Sequence, residues 1–115
     1  MIKIKVCGVT TRRDALLAEA YGADIIGMVF AGSPRRVSVE TARKISRALS
    51  PFTLKAGIFV DAPEAYVKNT AKRAGLDIVQ LHGNESAAYI KRLGPLIVIK
   101  AVRVEDAKAA RAAAG

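Results

Sequence analysis

Apolar and charged residues alternate through Ile2-Lys3-Ile4-Lys5-Val6, the period-two signature of a strand. The run stops at Cys7-Gly8-Val9-Thr10, where glycine lets the backbone turn. A helix is predicted from Thr11, with Asp14 as a weak capping-box partner. Ala15, Leu16, Leu17, Ala18 and Ala20 supply its apolar face, and Gly22 ends it. Asp24-Ile25-Ile26-Gly27-Met28-Val29-Phe30 is almost continuously apolar, as expected of a strand buried on both faces in a parallel sheet under helices.

The alternation of strand and helix continues. Ala31 to Arg36 reads as a loop from its Gly, Ser and Pro content. Ser38 is placed to cap a second helix, with Glu40 favourably set in its first turn. Ala42, Ile45, Ala48 and Leu49 form its stripe, and Ser50-Pro51 stops it. Residues 54–60 are a third strand. Asp61-Ala62-Pro63-Glu64 opens a third helix that Gly75 closes, with Pro63 suited to its first turn. Asp77-Ile78-Val79-Gln80-Leu81 is a fourth strand leaving through His82-Gly83, and Asn84 is predicted to cap a fourth helix reaching Leu93. A fifth strand spans residues 96–101, and an alanine-rich fifth helix begins at Glu105. Gly22-Ala23-Asp24-Ile25-Ile26 and Gly75-Leu76-Asp77-Ile78-Val79 form an internal repeat, two βα units apart. Regular β-then-α alternation implies parallel strands with right-handed crossovers. Periodicity leaves a doubly wound sheet and part of a (βα)8 barrel equally open.

Composition narrows the class. At 115 residues and 51% apolar, the chain can bury a core as one domain. No apolar run approaches the roughly 18 residues of a membrane span, and no secretory leader pattern opens the chain. One cysteine cannot close an internal disulfide, which fits a reducing cytoplasm. A single His and a single Cys set aside a zinc cluster, while hard-cation sites built from oxygen ligands stay open. The net charge of +9 raises nucleic acid as a partner. Against it, the basic residues are spread over nearly every predicted helix, and no aromatic residue is interleaved with them as a stacking platform. A phosphorylated or carboxylated small substrate uses the same potential with fewer contacts.

In parallel α/β folds chemistry gathers beyond the C-terminal ends of the strands. The residues predicted there are Cys7 and Gly8, then Ser33-Pro34-Arg35-Arg36, Asp61, His82-Gly83, and Lys100 or Arg103. Each has a plainer reading. Free cysteines are commonly buried and structural; His82 can be a turn residue, Arg36 a solvated charge, Asp61 a helix-start residue, Lys100 a strand-end charge. Asp24 and Asp77 fall at strand entrances and are assigned no catalysis. A thiol becomes a general base where cations and backbone N–H groups favour its thiolate, and an isomerisation that moves a proton needs a partner acid. No convincing acid stands out in the chain.

Lys5-Val6-Cys7-Gly8-Val9-Thr10, Gly22-Ala23-Asp24 with Gly27-Met28-Val29-Phe30, Ser33-Pro34-Arg35, Gly57-Ile58-Phe59-Val60, Val79-Gln80-Leu81-His82-Gly83 and Ile99-Lys100-Ala101 together resemble the phosphoribosylanthranilate isomerase family. The motifs follow the family's order across the chain. The resemblance implies a cytoplasmic, metal- and cofactor-free (βα)8-barrel (TIM-barrel) enzyme of tryptophan biosynthesis. Its reaction is the Amadori rearrangement of N-(5-phosphoribosyl)anthranilate to 1-(2-carboxyphenylamino)-1-deoxyribulose 5-phosphate. It implies Cys7 as the base on the sugar C2 proton, Arg35 on the anthranilate side of the substrate, and His82 near the site. Its general acid, an aspartate on strand six, and its phosphate loops after strands seven and eight have no counterpart here.

Residues 1–115 are therefore expected to be the N-terminal part of a single (βα)8-barrel domain, about five units of an incomplete barrel, since the complete fold needs about 200 residues or more. The chain alone is expected to be inactive, with the C-terminal half of the barrel as its partner in cis or in trans. Three alternatives stay open: a non-catalytic half-barrel that self-associates through its open fifth strand, another phosphosugar (βα)8 enzyme, and a small nucleic-acid-binding domain. The second is disfavoured because its lysine and glutamate set cannot be placed.

Overall fold

The computed structural model describes residues 2–102. The elements are β1 (Lys5–Val6), α1 (Arg12–Ala20), β2 (Ile25–Val29), α2 (Val39–Ala48), β3 (Leu54–Phe59), α3 (Glu64–Ala74), β4 (Ile78–Leu81), α4 (Ala87–Arg92) and β5 (Ile97–Lys100). The helix predicted from Glu105, and Arg103, lie outside the described residues.

All five strands are parallel and lie in the order β1-β2-β3-β4-β5. A doubly wound sheet reverses its strand order part-way, whereas a barrel adds each strand beside the last. The open choice between the two therefore closes on barrel-type βα units. The sheet is also rolled. In a flat sheet β1 and β4 would stand roughly 14 Å apart, yet the Lys5 ammonium donates to the Gln80 side chain across the concave face.

Alternation sorts the strands into two faces. Ile26, Met28, Phe59, Val79 and Leu81 turn outward and join Ala15, Ala42, Ile45, Val67, Ala71, Ala74 and Leu93 of the helical layer in one buried cluster. Phe30 and Phe59 stack within it with ring centroids 5.2 Å apart. Lys5, Gly27, Ala56, Ile58, Ile78 and Gln80 occupy the alternate, concave positions. On β5 this face is uncovered: Ile97 is 58% and Ile99 39% exposed, as expected of an open hydrophobic strand.

Local signals hold at two of the four described helix starts and fail at the other two. Thr11 accepts the Asp14 N–H and Ser38 accepts the Thr41 N–H, both at 3.1 Å. Asn84, however, does not cap α4. Its N–H goes to the Asp61 carboxylate at 2.7 Å, and Ser86 caps the helix two residues later by accepting the Tyr89 N–H. Pro63 precedes α3 as its cap residue rather than lying in its first turn, and Asp61 is drawn away from that helix by the same contact. The first strand is shorter than the alternation predicts. It pairs only with β2, and Ile2 is left 85% exposed.

The scattered cations partly gather. Arg43, Arg47, Lys55, Lys72 and Arg73 line a groove of about 650 Å³ between α2 and α3. Arg47, Lys72 and Arg73 lie in last helical turns, where the helix dipole favours positive charge. Lys55 donates to the Ser50 carbonyl, and Arg73 pairs with Glu40 at 3.1 Å.

Candidate active site

The exit of β1 is stitched to β2 by its own backbone: the N–H groups of Gly8 and Val9 both donate to the Gly27 carbonyl, at 3.0 and 3.2 Å. This bend turns Cys7 toward the concave side, and the residue is exposed rather than buried. Its thiol lies over Gly27, where a Cβ would stand 3.1 Å from Sγ and 3.3 Å from the Cys7 Cα. Glycine at that point of β2 makes room for the sulfur.

Arg35 reaches the same place from the next loop. The Ser33 hydroxyl accepts the Arg35 N–H and the Ser33 carbonyl accepts the Arg36 N–H, both at 3.1 Å. The loop then runs alongside the end of β2, in the same direction, through a parallel bridge between Val29 and Arg36. The Arg35 side chain crosses Gly8, whose φ is +79°. A Cβ there would lie 2.7 Å from Arg35 Cδ and 3.1 Å from Nη1. The thiol thus packs over Gly27 and the Arg35 side chain over Gly8, the residue that follows Cys7 in the chain, while Arg36 is solvated as the sequence suggests.

His82 leaves β4 with its N–H donated to the Phe59 carbonyl at 3.0 Å and its ring exposed. Its Nε2 is 2.6 Å from Gln80 Nε2. The direction of this bond follows from the other end of the amide. Lys5 has only donors, so Gln80 must offer it Oε1 and turn its NH₂ toward the imidazole. In this orientation the Gln80 amide N–H faces His82 Nε2. Lys5 stands two residues before Cys7 on the same face, so the chain Lys5–Gln80–His82 spans the concave floor between the two exits.

Behind His82 lies a second polar cluster. The Glu85 side chain is 1% exposed and pairs with Lys100 at 2.7 Å. It also accepts the N–H of Asp61 at 2.8 Å and of Gly83 at 3.3 Å. Burial opposes its ionisation, but the Lys100 ammonium and the Asp61 N–H outweigh that, and its carboxyl is held below the ordinary range. Asp61 sits at φ +46°, a left-handed conformation that non-glycine residues rarely adopt. Lys100 is thus a strand-end charge, as its position suggested, with Glu85 and the Gly83 carbonyl as its partners. Lys5, Gln80 and Glu85 are not among the site residues the sequence singles out. A glutamine two positions before His82, inside an otherwise apolar strand, was the available signal for one of them. Among the described residues no three His, Cys, Asp or Glu side chains gather as metal ligands.

The family model for N-(5'-phosphoribosyl)anthranilate (PRA) isomerase matches residues 4–115. The chain belongs to the phosphoribosylanthranilate isomerase family. It is 51% identical over 110 residues to the isomerase of Rubrobacter xylanophilus, a match covering 93% of this chain and 53% of that protein. The crystal structure of phosphoribosyl anthranilate isomerase from Thermotoga maritima superimposes with a TM-score of 0.92 at 37% identity, covering 98% of this chain and 56% of that one. A further isomerase structure, a complex with reduced 1-(o-carboxyphenylamino)-1-deoxyribulose 5-phosphate, matches with a TM-score of 0.90 at 36% identity over 96% of this chain and 59% of its own. The chain spans about half the length of the relatives it matches. Within the isomerase family, then, the five parallel strands and four helices of the described residues are βα units of the TIM-barrel fold, an incomplete barrel.

Proposed function

We propose that this chain supplies the base half of a phosphoribosylanthranilate isomerase, residues 1–115 being the N-terminal part of one (βα)8-barrel domain completed by a C-terminal half in cis or in trans. The reaction is the Amadori rearrangement of N-(5-phosphoribosyl)anthranilate in tryptophan biosynthesis. An acid from the C-terminal half protonates the furanose ring oxygen, and the C1–O bond breaks to give an iminium. The Cys7 thiolate removes the proton from C2, leaving an enolamine that tautomerises to the 1-deoxyribulose ketone. Arg35 pairs with the anthranilate carboxylate, and His82 contacts the substrate from the opposite rim. The reading needs neither metal nor cofactor, and its setting is the cytoplasm. No helix among the described residues is long and apolar enough to cross a membrane.

One observation carries this reading: an exposed thiol over Gly27 with the Arg35 side chain packed across the adjoining Gly8. The complex of a related isomerase with a reduced 1-deoxyribulose 5-phosphate supports a ligand of this chemistry. The test is turnover, followed through the substrate's anthranilate fluorescence. The chain alone should show none, and adding the C-terminal half should restore it. Turnover by the chain alone would overturn the division of labour.

A second reading has its own observation. Ile97 and Ile99 leave β5 as an exposed apolar strand, which a second copy could cover in a non-catalytic assembly. Light scattering decides: a stable dimer that the C-terminal half cannot displace supports self-association, and a monomer or a displaceable dimer supports the isomerase half.

A further inference from the structure

We infer that Glu85 is a positioning residue for His82, a role that rests on the proposed contact between His82 and substrate. Three strand exits meet at this one carboxylate: Asp61 after β3, Gly83 after β4 and Lys100 at the end of β5. Lys100 also donates to the Gly83 carbonyl. Asp61 in turn lies against Gly83 and accepts the Asn84 N–H at 2.7 Å. The backbone is thereby held at three successive residues: His82 by Phe59, Gly83 on both its N–H and its carbonyl, and Asn84 by Asp61.

The His82 residue is exposed, and among the described residues its ring hydrogen-bonds only to Gln80. Little packing fixes it, so its place is set by the turn that carries it. A buried carboxylate is a costly way to hold a turn, since removing an ion from water is unfavourable and an apolar side chain of similar size serves stability as well or better. What the ion pair adds is geometry. Two backbone N–H groups and one ammonium fix the orientation of the carboxylate, and through it the turn behind the imidazole. A loosened turn would move the ring relative to substrate while the thiol and Arg35, on β1 and the loop after β2, stayed in place.

The experiment compares Glu85→Gln, Lys100→Met, His82→Ala and Glu85→Gln/His82→Ala in the full-length enzyme that carries this chain. Asp77→Ala serves as a control for general destabilisation. Expected for Glu85→Gln is a rise in KM of about ten- to a hundredfold with kcat little changed. The His82 ring resonances should shift in the 15N spectrum. The double variant should bind no worse than His82→Ala alone, because Glu85 acts through that ring. Asp77→Ala should lower the melting temperature without raising KM. If Glu85→Gln fails to fold, Lys100→Met opens the same pair from the other side and is read in the same way. Unchanged KM and unshifted ring resonances in the glutamine variant would overturn the inference, as would additive effects in the double variant. If His82→Ala leaves KM unchanged, the proposed substrate contact falls instead, and the ring shift alone decides whether Glu85 positions the histidine.

Discussion

The two ends of the sheet use aspartate in opposite ways. At the strand entrances Asp24 accepts the Ile4 N–H at 2.7 Å and gives its own N–H to the Ile4 carbonyl at 2.8 Å. Asp77 repeats the device one repeat later, accepting the Lys55 N–H and donating to the Lys55 carbonyl, both at 2.8 Å. Each carboxylate finishes the pairing of a neighbouring strand and fixes its register. At the exits Asp61 adopts φ +46° and holds a turn of the next unit, while Cys7, Arg35 and His82 are left exposed. The entrances consume their polar groups in joining strands. The exits keep reactive groups free and hold the backbone beneath them, which is how one fold separates stability from chemistry.

That separation can be broken most severely at Cys7. Cys7→Ser in the full-length enzyme should lower kcat by about 10²–10⁴-fold, the range of a lost general base. The urea midpoint should stay where it was. A variant near wild-type turnover would return the thiol to a packing role. Gly8→Ala comes next. Its methyl would meet Arg35 on a backbone at φ +79°, and KM should rise about tenfold as the Arg35 side chain is displaced from the site. Steady-state kinetics would show whether kcat is spared.

The entrance gives the converse result. Asp77→Ala leaves the Lys55 N–H without its partner and should cost about 1–3 kcal/mol in urea unfolding, with KM unchanged. A change in KM there would show that the two ends are coupled. Smallest is the pH effect at Glu85. Its folded-state carboxyl titrates below the unfolded value of about 4.3. Its stabilisation is therefore present above that value and is lost as pH falls through the lower, folded one. Acid unfolding followed by circular dichroism should be shallower in Glu85→Gln, and an identical acid limb would mean that the carboxylate is not paired in solution.

Much of this end-to-end contrast was legible in the residue order. The Gly-x-Asp repeat marked both entrance carboxylates, and the placing of one cysteine, one histidine and a Ser-Pro-Arg loop at strand ends marked the exits. Glu85 was invisible for a physical reason. With Asn84 read as a cap it falls in the first turn of the fourth helix, and its partners Asp61 and Lys100 are 24 and 15 positions away. Asn84 was misread as a cap for the same reason, since the competing acceptor, Asp61, belongs to another unit.

The sequence by itself determined the βα alternation, the caps at Thr11 and Ser38, and the residue types available for chemistry, because these depend on neighbours within one turn or one pleat. Only the tertiary structure decided that the strands follow one another in order and that the sheet rolls far enough for Lys5 to reach Gln80. It also gathered three exits at one buried carboxylate. Those outcomes depend on which strands become neighbours, and a pairing between residues far apart in the chain has no local pattern to announce it.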